Sequence, residues 1–326
     1  MSEAAVVERS DTARVWRRID WRDQVVYIGF VVVFAVFAVW LGGNGFLTTS
    51  NLLNIAIQAA PIAVMAIGMV FVLSAGEIDL SVGSVVALAA LVAAMVLRDT
   101  QSILAGTAAA LAVGAVVGLV NGFFVTIVRL PSFLVTLATM GAVAGVARQV
   151  SDLQSVPVRD SQFSGFFGGG EIFGIPSLVL WTAGALGVGY LLLRQSRYGA
   201  HVLAIGDNVG SARVSGIKVT RVRIMVLVGS AMTAAMAGLL YAGRLEGARY
   251  TLGETDLMTV IAAVIIGGTS LFGGRGSVVG AVVGALLMSM LNNGLILAGL
   301  SVSQQMIARG AIILIAVSLS LREKRS

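Results

Sequence analysis

The feature that most constrains this chain is a succession of apolar runs without a formal charge. Leu52–Ser74, Ser81–Leu97, Ser102–Val128, Ser177–Leu193, Ile224–Ala242 and Ser277–Leu297 contain no Asp, Glu, Lys or Arg. A hydrocarbon core of about 30 Å needs roughly 20 such residues in a helix. The runs are continuously apolar and do not alternate, so they read as helices and not as barrel strands. Only 12% of the residues are charged and 57% are hydrophobic, about half the charge of a soluble domain. The fold class is therefore all-α and polytopic in a membrane. The absence of cysteine excludes disulfides and thiolate metal sites, and the single histidine, His201, excludes a histidine cluster.

Ten membrane helices are expected, at about Gln24–Leu41, Leu52–Ser74, Ser81–Leu97, Ser102–Val128, Ser132–Val150, Ser177–Leu193, Ile224–Ala242, Leu257–Gly267, Ser277–Leu297 and Gln304–Leu321. Residues 1–23 then form a cytoplasmic N-terminal segment, 24–321 the transmembrane domain and 322–326 a cytoplasmic tail. This arrangement assigns sixteen of the 22 basic residues to the N-terminal side and five to the other, with Arg309 inside the last helix. Basic residues favour the cytoplasm, so both termini are expected there. The same bias accounts for the net charge of +6, and nucleic acid is not an expected partner. The loop Ser151–Pro176 is expected to carry a short interfacial element at Phe163–Phe167.

One segment departs from this apolar plan. Arg194–Arg223 is basic, and within it Ile205–Ile217 is polar and punctuated by small residues. A membrane protein places such a stretch in water or against another protein. Anionic lipid would suit Arg221 and Arg223. It does not call for the small residues Gly206, Gly210, Ala212, Ser215 and Gly216, which suit close docking against a partner.

Two glycine-bearing breaks divide apolar runs in corresponding parts of the two halves, Ser74–Ser84 and Gly267–Ser277. Paired interruptions point to internally related halves and a transport pathway. Their candidate residues are Glu77, Asp79, Ser81 and Gly83 in the first break, and Gly268, Thr269 and Gly274 in the second. Glu77 and Asp79 either bind a cation or a substrate hydroxyl at membrane depth, or cap and position the following helix together with Ser81. Asn54, Gln58, Asn121, Thr136, Thr139, Asn292, Asn293 and Gln304 are uncharged polar residues in or beside apolar helices. Side-chain amides both donate and accept, as sugar hydroxyls require; the same residues could instead join helices. Arg309 is expected to snorkel outward. No GxxxxGK[ST] loop is present, so ATP, if used, must be bound by another chain.

Four stretches together resemble the permease subunit of bacterial ABC importers for monosaccharides, of the ribose, xylose, arabinose and galactose type. They are Gly68–Leu73 leading into Gly76–Ser84; Asn121–Phe124 leading to Leu130–Met140; Arg197–Gly199 leading through Ala204–Asn208 to Ala212–Ile217; and Ile266–Ser277. Ile78-Asp79-Leu80-Ser81-Val82-Gly83 and Gly267-Gly268-Thr269-Ser270 are the most specific. Glu77 stands where many members carry glycine. The resemblance implies a permease homodimer in the bacterial inner membrane, a cytoplasmic ATPase that holds ATP and magnesium, and an extracytoplasmic sugar-binding protein. It implies no cofactor on this chain and no enzymatic activity of its own. Gly206, Asp207, Asn208, Ala212, Arg213, Ser215 and Gly216 would form the segment that couples to the ATPase. The competing expectation is an ion-coupled secondary transporter, which would have to use Glu77 and Asp79.

Overall fold

The computed structural model describes residues 21–308 together with 310, 311 and 314. The segment before Trp21, Arg309 and the tail 322–326 lie outside the described residues. The elements are α1 (Trp21–Trp40), α2 (Thr49–Ser74), α3 (Val82–Thr100), α4 (Ile103–Thr126), α5 (Ser132–Ser151), α6 (Ser161–Ser164), α7 (Ser177–Arg194), α8 (Arg197–Asp207), α9 (Val209–Val214), α10 (Val219–Leu245), α11 (Asp256–Ile266) and α12 (Val278–Leu297). Among the described residues, seven of these are long and apolar enough to cross a membrane: α2, α3, α4, α5, α7, α10 and α12. A further helical turn over 302–308 begins with Ser301 and Gln304, whose side chains cap each other's backbone N–H groups.

The helices form an inner and an outer set. α2, α3, α10 and α12 are mostly buried, whereas α4, α5 and α7 leave most of their surface exposed. That exposed surface is apolar, including Leu104, Val116, Phe123, Leu134 and Val188, as lipid contact requires.

Close approach is written into glycine spacing. Gly114, Gly118 and Gly122 recur every four residues along one face of α4 and lie against Ala231, Val228 and Ile224 of α10. A Cβ at Gly118 would stand 2.5 Å from the Val228 Cα, so the two antiparallel backbones touch. Gly280 and Gly284 of α12 do the same against the carbonyls of Gly267 and Ala263, closing the α11–α12 hairpin.

One expectation changes and another gains detail. The helix anticipated from Ile224 begins five residues earlier, at Val219, so Arg221 and Arg223 belong to its first turns. The 151–176 segment does carry a short helical element around Phe163–Phe167, formed by α6 and a π-helical turn over Gly165–Gly169, and the segment is packed more closely than a connecting loop. A short β1 (Val156–Pro157) pairs antiparallel with β4 (Gly247–Ala248), and β2 (Glu171–Ile172) pairs with β3 (Ile175–Pro176). Phe163 and Phe167 are buried, and Phe167 stacks on Trp181 with centroids 5.5 Å apart. Trp181 Nε1 donates to the Phe166 carbonyl at 2.9 Å. Aromatic burial here beats exposure because Phe167 stacks on Trp181 on one side and packs against the tilted Phe163 ring on the other.

Candidate functional site

The basic stretch folds into two short helices set end to end. The Ser196 hydroxyl caps α8 through the Gly199 N–H, and the Asn208 carboxamide caps α9 through the Ser211 N–H at 3.0 Å. Asn208 thus ends one helix and starts the next. Tyr198 anchors α8 by stacking on Phe71 of α2 at 5.9 Å. Burial pushes the Tyr198 hydroxyl up to about 12.

The small residues of this segment divide between two faces. Asp207, Asn208, Gly210, Arg213, Ser215 and Gly216 are exposed, and the apolar Val214 at the tip is 92% exposed. Gly206 and Ala212 instead face the bundle. A Cβ on Gly206 would overlap the Ser74 carbonyl oxygen and lie 2.5 Å from the Gly274 nitrogen. Those two atoms are already hydrogen-bonded to each other, Gly274 N–H to Ser74 O at 3.0 Å. The Ser74 hydroxyl also reaches the Arg275 carbonyl at 3.3 Å. The two helix breaks therefore join each other, and α8 rests on the joint.

The polar side chains of the first break, Glu77, Asp79 and Ser81, are buried. Asp79 Oδ1 accepts from the Ser81 N–H at 2.9 Å and the Ser81 hydroxyl at 2.6 Å, while Oδ2 accepts from the Ser230 hydroxyl of α10 at 2.8 Å. Ser81 in turn accepts from Asn121 Nδ2 of α4 at 3.0 Å. Ser81 holds the position before α3 but makes no capping bond there; its hydroxyl is committed to Asp79. The Ile78 N–H donates to the Ser132 hydroxyl, and the Thr136 hydroxyl donates to the Ile78 carbonyl, both at 3.1 Å. Glu77 forms an ion pair with Arg223, Oε1 to Nε 2.8 Å, without hydrogen-bond alignment between those two atoms. Arg223 and Ser230 are seven residues apart on α10, about 10 Å along its axis. The break thus climbs from the Glu77 level to the Asp79 level within a few residues. Gly83 allows α3 to lie against the Gly253 carbonyl.

In the second break Gly268 and Gly274 take positive φ, 89° and 77°. Thr269 is buried and its hydroxyl accepts from the Ser277 N–H at 3.2 Å. Ser277 then caps α12 through the Gly280 N–H.

The candidate pathway residues separate into four places. Asn121 and Thr136 belong to the first break, as just described. Thr139 lines an apolar groove of about 480 Å³ between α4 and α5. Asn293 exchanges two hydrogen bonds with Asn51, at 2.8 and 3.1 Å. Gln58 and Asn292 line one small polar cavity, and Asn54 accepts from Gln58 Nε2 at 3.2 Å beside it. The cavity also brings in Tyr241, Asp256, Thr259 and Ser289, which sequence reasoning passed over. Their spacing carried a signal: Tyr241/Arg244, Asp256/Thr259 and Ser289/Asn292 are each i, i+3 polar pairs, on one face of a helix.

Comparison with known proteins places this geometry in a family. Residues 51–317 match the family described as branched-chain amino acid transport system, permease component. The chain belongs to that permease family. It is 38% identical over 299 residues to the ribose import permease protein of Escherichia coli (strain K12), covering 90% of this chain and 92% of that one. It is 38% identical over 281 residues to the ribose import permease protein of Bacillus subtilis (strain 168), covering 85% and 87%. It is 34% identical over 297 residues to the L-arabinose transport system permease protein of Escherichia coli (strain K12), covering 91% and 90%. No solved structure matches. The permease is a multi-pass, mainly helical membrane protein whose two helix breaks and basic surface segment meet at Gly206.

Proposed function

We propose that this permease forms the membrane pathway of an ATP-driven importer for a monosaccharide or a similar small polyhydroxylated solute. Its relatives are named for ribose import and for L-arabinose transport. The observation that carries the mechanism is the seat of α8. A partner pressing on the exposed residues of 207–218 would move α8, and α8 cannot shift without disturbing the Ser74–Gly274 joint beneath Gly206. Force on the loop then reaches both breaks at once, and through Glu77–Arg223 and Asp79–Ser230 it reaches α10.

In this reading the partner is a cytoplasmic ATPase, which supplies ATP and magnesium. A binding protein delivers the solute from the opposite side, and a second permease copy completes the pathway. Both termini and α8–α9 lie in the cytoplasm of a bacterial inner membrane. Ten crossings remain the expectation from the sequence; seven helices among the described residues are long and apolar enough to cross. An ion-coupled mechanism is less well supported, because Glu77 is paired with Arg223 and Asp79 accepts three hydrogen bonds. Neither acid is poised to load and release a cation.

Co-purification in mild detergent tests the proposal, with the attached chains identified by mass. An ATPase that is retained by the wild type and lost on replacing Asp207–Gly216 is the expected result. A lone permease that moves D-ribose down an ion gradient would refute it.

A further inference from the structure

The polar cavity lies between α2, α10, α11 and α12 at the end of the bundle away from α8. α10 runs from Val219, near the α8–α9 segment, to Leu245, and the cavity is lined by Tyr241 and Arg244 in its last two turns. Gln58 enters from the first half of α2, far from Ser74, where that helix meets α8. Asp256 and Thr259 come from the first turn of α11. Ser289 and Asn292 come from the second half of α12.

Two of these side chains pose a question that the fold leaves unanswered. Thr259 is 5% exposed and Ser289 is 4% exposed. Neither hydroxyl has a hydrogen-bond partner among the described residues. A buried hydroxyl without a partner is costly, and native structures seldom keep one without a reason. Both residues line the same cavity.

We infer that this cavity is a way-station for the transported solute, and that the solute it accepts is a neutral polyol of about pentose size. The inference rests on the importer reading above. A hydroxyl donates one hydrogen bond and accepts others, so solute hydroxyls complement Thr259 and Ser289, and the Gln58 carboxamide, whose Nε2 already donates to Asn54, adds an acceptor oxygen. Charge points the same way. Arg244 and Asp256 contribute one charge of each sign, and Asp256 Oδ2 already accepts from the Tyr241 hydroxyl at 2.6 Å. The lining holds no surplus charge to select an ion. Size agrees as well: about 140 Å³ takes four to five waters at roughly 30 Å³ each, and a pentose replaces that many with its own oxygens. Met288 and Ile62 supply an apolar wall for the carbon skeleton.

The test uses the whole importer, permease with its ATPase and binding protein, in proteoliposomes. Uptake is measured for D-ribose, L-arabinose, D-galactose, ribitol, gluconate, glucosamine and leucine. Three permeases are compared: wild type, Thr259→Val/Ser289→Ala, and Ser289→Leu. The first variant removes hydroxyls that bond nothing in the protein, so its thermal midpoint should be unchanged or higher. Its uptake of the neutral sugars should fall by roughly three- to tenfold for each hydroxyl removed. Ser289→Leu fills the cavity and should reduce uptake further. A purely structural role would lower the midpoint along with uptake. Wild-type uptake of a neutral sugar that both variants leave unchanged would overturn the way-station and spare the importer reading. Wild-type uptake of leucine, gluconate or glucosamine in preference to the neutral solutes would overturn the neutral-polyol class. No ATP-dependent uptake of any of the seven by wild type would overturn the importer reading and this inference with it.

Discussion

Gly206→Ala is the most direct probe of how force crosses this permease. The added Cβ meets the Ser74 carbonyl oxygen head-on, and the Gly274 nitrogen at 2.5 Å already lies inside the 3.0 Å closest approach of real Cβ atoms. Both neighbours are backbone, so neither can rotate away. Gly273 closes the other side, where a Cβ would stand 2.5 Å from the Gly206 carbonyl oxygen. Overpacking of this kind costs about 1–3 kcal/mol. Parting the Gly274–Ser74 hydrogen bond adds about 0.5–1.5 kcal/mol. The sum of about 1.5–4.5 kcal/mol shifts the seated state of α8 by roughly tenfold or more. Membrane insertion draws on the apolar helices and should be untouched. The assay is uptake of D-ribose and L-arabinose by cells expressing the full importer, normalised to permease in the membrane and compared with ATPase retained on purification. Uptake should fall at least tenfold with normal membrane levels. Gly216→Ala is the control: its φ of 80° disfavours a side chain, but no atom lies within 4 Å of the added Cβ, so the cost is about 1–2 kcal/mol and local. Wild-type uptake and thermal stability in Gly206→Ala would refute the transmission argument.

Other consequences are open to measurement. Asp79→Ala removes an acceptor of three hydrogen bonds and leaves the Ser81 and Ser230 hydroxyls facing a void. A loss of about 3–5 kcal/mol is expected, seen as a lower melting midpoint in detergent with no change in the relative uptake of ribose and arabinose by the surviving fraction. Glu77→Gln and Arg223→Gln should each depress uptake. The double variant should recover part of the loss, because it leaves no uncompensated charge at the 2.8 Å contact; strict additivity would count against coupling through this pair. Tyr198 titrates at about 12 through burial, above the usual tyrosine value of about 10. Its contribution to stability is therefore complete below pH 10 and is lost as pH rises through 12. Tyr198→Phe should abolish the corresponding step in ultraviolet absorbance, and an unchanged titration curve would show that Tyr198 is not the group concerned.

Much of this architecture was legible in the residues themselves. The fold class followed from uncharged runs long enough to span lipid, because a backbone in hydrocarbon must satisfy its own hydrogen bonds. The two breaks were visible as glycines between such runs, accompanied by acids in the first, and the basic segment as a long stretch that lipid would not tolerate. Small residues there signalled close packing, but one-dimensional order does not say against what. Three-dimensional packing turned Gly206 inward, onto Ser74 and Gly274, while it left Gly216 in the open. It also parted residues of one chemical kind: Asn121 went to the Asp79 network, Asn293 to Asn51, and Asn292 to the cavity. Adjacent positions on a helix point about 100° apart, so Asn292 and Asn293 could not share a site. Sequence by itself determined that this protein spans a membrane, where its helices break and which segment is too polar to lie in lipid. Tertiary structure alone decided which polar groups meet, because hydrogen bonds reach only about 3 Å and the contacts that matter join helices far apart in the chain.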